Sequence, residues 1–100
     1  MKTIKAITDF GTIDVKIIGK QKEILNEFWI LATVPCKYMN AVEPMERKRV
    51  FHIKTGMSLP LYNISHRATN KEYFEKAEVF LNTIPQSEIE KTIKQYQVLN

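Results

Sequence analysis

Among 100 residues the chain has one cysteine, Cys36, and three scattered glycines. A lone cysteine excludes a disulfide framework and fits a reducing compartment, so a cytoplasmic location is expected. Gly11, Gly19 and Gly56 stand apart and read as turns, which excludes a glycine-rich phosphate loop. His52, His66 and Cys36 supply the imidazole and thiol groups, and none has a partner at metal-ligand spacing. No apolar run approaches the roughly 20 residues of a membrane span. No long apolar core follows residues 1–5, so a signal peptide is not expected either. A pairing of Cys36 with His52 or His66 is formally open to nucleophilic chemistry. Cys36 follows Pro35 in a loop with no local signature, however, and reads as a small semi-buried residue. No catalytic residue, cofactor or metal ligand is assigned on this basis.

What the chain does have is positive charge in one place. The net charge is +4 with a sequence pI near 9.2. Residues 35–68 hold Lys37, Arg47, Lys48, Arg49, Lys54 and Arg67 against Glu43 and Glu46, whereas residues 69–100 hold four Lys against five Glu. Every arginine falls in that middle third. Arginine forms bidentate contacts with phosphate and carboxylate, so the asymmetry suits an acidic partner.

Length and composition bound the chain as one α+β domain, residues 1–100. Residues 2–8 alternate and are β-branched, 9–11 carry a turn signal, and 12–18 place Ile13, Val15 and Ile17 on one face with Thr12, Asp14 and Lys16 on the other. These two strands should form a hairpin ending at residues 19–21. Residues 23–34 fit both a helix and a strand period. Phe28, Trp29, Ile30, Thr33 and Val34 favour a strand, apolar on both faces and therefore central. Residues 35–46, with Pro35 and Pro44, form a loop. Residues 47–55 are a fourth strand, with Phe51 and Ile53 on one side and Val50 and His52 on the other.

From Thr69 the pattern turns helical. Thr69 and Glu72 have capping-box spacing. Phe74, Ala77, Leu81 and Ile84 form an inner stripe, flanked by Tyr73 and Phe80, that should pack on Ile13, Val15, Ile17 and part of 28–34. Glu72, Glu75 and Glu78 alternate with Lys71 and Lys76 as a solvated face. Pro85 interrupts, and Ser87 with Glu90 repeats the capping spacing. Ile89, Ile93 and Tyr96 then give a narrower stripe, reaching towards Leu99, that is expected to pack less tightly and to serve homodimerisation. The fold expected is an antiparallel sheet of about four strands in the N-terminal two thirds. One amphipathic helix packs on it, and a second helix follows at the C-terminal end.

Lys37, Tyr38, Arg47, Lys48, Arg49 and Lys54, with His52 near them, should lie on or beside one basic hairpin. His66 and Arg67 precede a helix N-terminus, where an anion is favoured. Basic side chains with a neighbouring aromatic are suited to phosphate contact and base stacking. The expected function is a small non-enzymatic accessory module that binds nucleic acid, single-stranded or without sequence preference. The alternative is a protein-interaction module, a small regulator or inhibitor, whose basic hairpin meets an acidic protein surface.

Overall fold

The structure, a computed structural model, describes residues 3–8, 11–34, 47–61, 64 and 67–100. Four strands, β1 (Thr3–Thr8), β2 (Gly11–Ile24), β3 (Glu27–Val34) and β4 (Arg47–His52), precede two helices, α1 (Asn70–Asn82) and α2 (Gln86–Gln95). The strands form one antiparallel sheet in the order β1-β2-β3-β4. The expected α+β architecture is therefore present; the expected loop over residues 35–46 lies outside the described residues.

β2 runs further than expected. Gly19 does not end it, because the chain passes through Gly19 at φ 74° and continues to Ile24. Ile18 pairs with Leu31 and Lys22 with Trp29, so residues 19–21 bulge opposite Ile30 alone. Only glycine takes that positive φ without steric cost. Leu25 and Asn26 then reverse the chain at φ 52° and 65°, the two left-handed residues of a type I′ hairpin turn. Leu25 is an unusual residue there, and its side chain is held by packing against the helix-side core. Residues 23 and 24 thus belong to β2, and the central strand begins at Glu27.

β3 has a neighbour on each side and is buried on both faces, as its doubly apolar sequence requires. Trp29 and Leu31, with Ile24 and Val50, face α1. Ile30, Ala32 and Val34, with Ile4, Ala6, Val15 and Phe51, face the other way. This corrects the expected seat of α1. Tyr73, Phe74, Ala77 and Leu81 pack on Ile24, Trp29, Leu31 and Val50, while Val15 lies in the opposite cluster with Ile13 and Ile17 packed against it. The pleat decides this, since Ile17 pairs with Ala32 and shares its face.

The opposite face is closed by curling of the sheet. Ile7 N–H donates to the Gly56 carbonyl at 2.9 Å, which brings the segment after β4 onto the free edge of β1. Asn100 fastens the same seam: its amide oxygen accepts from Lys5 N–H at 2.8 Å, and its Nδ2 donates to the carbonyls of Lys5 (2.9 Å) and Ile53 (2.7 Å). On its other edge β4 is covered by residues 57–59, through His52 N–H to Met57 O and Leu59 N–H to Val50 O.

Thr69 caps α1, its hydroxyl accepting from Glu72 N–H at 3.2 Å. α2 starts one residue before Ser87, on the Pro85 carbonyl, which accepts from Glu88 and Ile89. Pro85 itself is the N-cap and no side chain caps the helix, so the expected serine cap is not used. α2 ends at Gln95, and Leu99 N–H instead reaches the Lys54 carbonyl. Ile89 is buried in the helix-side core and Ile93 packs against it, so α2 belongs to that core; Tyr96, just past the helix, is exposed.

Candidate nucleic-acid interface

β4 carries three consecutive cations, and strand alternation sends them to different sides. Arg49 lies opposite Ala32, on the face of Phe51. Phe51 is fully buried and Arg49 is exposed, so this face leaves the core between the two residues. Arg47 pairs with Val34 at the start of the strand. Lys48 takes the α1 side. It is half-buried, with Nζ 3.5 Å from the Ala68 carbonyl and 5.8 Å from the centre of the Tyr73 ring. That contact ties β4 to the N-terminal end of α1 and brings Lys48 near exposed Arg67, Ala68's chain neighbour. Lys54 is exposed in the turn after β4, at the far end from Arg47. Lys37, Tyr38, His66 and Cys36 lie outside the described residues.

Register adds a residue that sequence reasoning left out. Lys16 pairs with Thr33, and Thr33 with Lys48, so the three form a row across β2, β3 and β4 on the α1 side. Directly paired residues have Cβ atoms about 5 Å apart, which places the two lysines roughly 10 Å from each other. The alternation of β2 marked Lys16 as solvent-facing, but only the pairing shows its neighbour. Lys5 meets Asp14 across the β1–β2 hairpin at 3.6 Å, a solvent-exposed pair.

His52 does not reach this surface. It is wholly buried beside Trp29, with ring centres 5.0 Å apart. Its Nδ1 lies 2.8 Å from Thr55 Oγ1 and its Nε2 3.1 Å from Glu27 Oε2, while Met57 N–H donates to the same threonine oxygen at 3.3 Å. One neutral tautomer satisfies every group: Nε2–H donates to Glu27, and Nδ1 accepts from the Thr55 hydroxyl. Hydroxyl, imidazole and carboxylate are in line, but Thr55 is 1% exposed and encloses its oxygen. The chain joins β3, β4 and residues 55–57 and is a packing network. Its sequence signal was the alternation that put His52 on the Val50 side, with Thr55 three residues on.

Among the described residues no three His, Cys, Asp or Glu side chains converge as metal ligands. No described helix is long and apolar enough to cross a membrane. Comparison with known proteins finds no family model, no curated protein and no solved structure that matches the chain.

Proposed function

We propose that the chain is a small, non-enzymatic cytoplasmic module that binds nucleic acid without reading sequence, through the sheet around β4. One observation carries this reading: charge is divided by layer. The four strands hold seven Lys and Arg against Asp14, Glu23 and Glu27, whereas the two helices hold four Lys against five Glu. A polyanion is thereby drawn to the sheet and not to the helices. Lys16, Lys20, Lys22, Arg49, Lys54 and Arg67 are all exposed.

The test is a salt titration of binding to labelled oligothymidine and to a duplex, by fluorescence anisotropy. The wild type should bind at about 50 mM salt, with affinity falling linearly in log–log form. Replacing Arg47 and Arg49 by Ala should weaken binding uniformly across sequences. On single strands it should also lower the slope by about 0.7 for each phosphate no longer neutralised. The fold should survive the loss of Arg49, which is exposed, because such cations contribute little to stability. A double variant that binds with the wild-type slope would remove the arginines from the interface. Absence of any wild-type binding would leave them to the alternative partner, an acidic protein surface.

A further inference from the structure

A second feature lies between the helices and is separate from the cationic surface. Where α1 ends and α2 begins, the chain leaves an apolar pocket of about 160 Å³ against residues 57–60. Among the described residues its floor is formed by the buried side chains of Trp29, Leu59, Leu81 and Ile89. Ser58, Ile84 and Thr92 are half-buried and Pro60 is exposed, and these form the mouth. Among the described residues no charged side chain lines it. The Thr92 hydroxyl already donates to the Glu88 carbonyl at 2.8 Å, so towards the pocket its oxygen acts only as an acceptor.

We propose that this pocket is a binding site for a small neutral apolar molecule, a single aromatic ring or a branched chain of about six carbons. Volume and lining both argue for this class. A dry, carbon-lined cavity of about 150 Å³ in another protein accepts benzene. The pocket is well below the roughly 300–1,000 Å³ of sites for larger ligands. A charged ligand would leave water with no described charged group to replace its solvation. The local architecture explains the space. α1 stops at Asn82, Thr83 and Ile84 turn the chain, and Pro85 starts α2, so neighbouring turns of the helices cannot interdigitate at this point.

Trp29 is the only tryptophan and lies in the floor, so its emission reports directly on occupancy. The experiment titrates the full chain with toluene, following Trp29 fluorescence and amide shifts. A saturable change is expected, with a dissociation constant of about 1 mM or tighter. The shifts should be confined to the pocket residues. Thr92→Leu, which fills the mouth and removes only a bond within α2, should weaken binding at least roughly tenfold. Ile84→Phe fills it from the inter-helix turn and decides the matter should the first variant not fold. No saturable change up to aqueous saturation would overturn the proposal, as would shifts spread over exposed apolar residues such as Val79 and Val98. Wild-type affinity in a folded filled variant would overturn it as well.

Discussion

Adjacent residues of β4 have opposite fates, and the pleat is the cause. Lys48 folds over Tyr73 while Arg49 points into solvent on the other face. His52, the most polar side chain of the interior, is tolerated because both ring nitrogens have partners. Thr55 is the more informative position to change. Thr55→Val keeps the shape but deprives His52 Nδ1 and Met57 N–H of their shared partner. Stability should fall by about 1–3 kcal/mol, the usual cost of leaving buried polar groups unpaired. Thr55→Ser retains the hydroxyl and should recover most of that loss. Urea unfolding of the two variants checks this, and a loss confined to the serine variant would show that the methyl group, not the hydroxyl, matters at this site.

At the scale of elements, α1 is held by one face and little else. Tyr73, Phe74, Ala77 and Leu81 are buried on it. Leu81, at 2% exposure, sits between the sheet and the pocket. Leu81→Ala should cost about 2–4 kcal/mol through reduced burial and the cavity left behind. Val79 lies on the same helix at 67% exposure, and Val79→Ala should change stability by less than about 0.5 kcal/mol. Comparison of the two denaturation midpoints separates packing from helix propensity, which would affect both positions. α2 is tied in differently. Its single buried residue, Ile89, joins the core of α1, which takes that side chain out of the expected dimer stripe Ile89, Ile93 and Tyr96.

The whole molecule is organised by the seam that brings β1 against the chain after β4. Gly56 stands at that seam with φ 74°, and a Cβ there would run into the Lys5 carbonyl oxygen and Ala6 Cα. Gly56→Ala should therefore cost more than the roughly 1–2 kcal/mol of left-handed strain alone, since the obstruction is the backbone of β1 and not a flexible side chain. Gly11 also has positive φ but nothing within 4 Å of its Cβ position. Gly11→Ala is the control that carries backbone strain without the collision. Thermal unfolding of the pair measures the difference, and equal losses would mean that the seam opens at little cost.

The alternation of Ile13, Val15 and Ile17, the two-sided apolar run of β3, and the Thr69 cap with its stripe to Leu81 were legible in the sequence. Each is a periodicity expressed within one element, where neighbouring residues alone set the pattern. The cationic character of β4 was legible for the same reason. What the tertiary structure decided were relations between elements. Local pattern marked Lys16 as solvent-facing, but only strand register puts it in one row with Lys48, across Thr33. It marked Gly19 as a turn, but pairing on β3 carries the strand through it as a bulge. It gave α1 an apolar stripe and assigned it to the face of Ile13, Val15 and Ile17, whereas the fold seats it on the opposite face with Trp29, Leu31 and Val50. That choice follows from the curl of the sheet, fixed by contacts such as Lys5 with Asn100, 95 residues apart. Such contacts leave no periodic trace, because each partner satisfies its backbone groups equally well with other residues until the chain is folded.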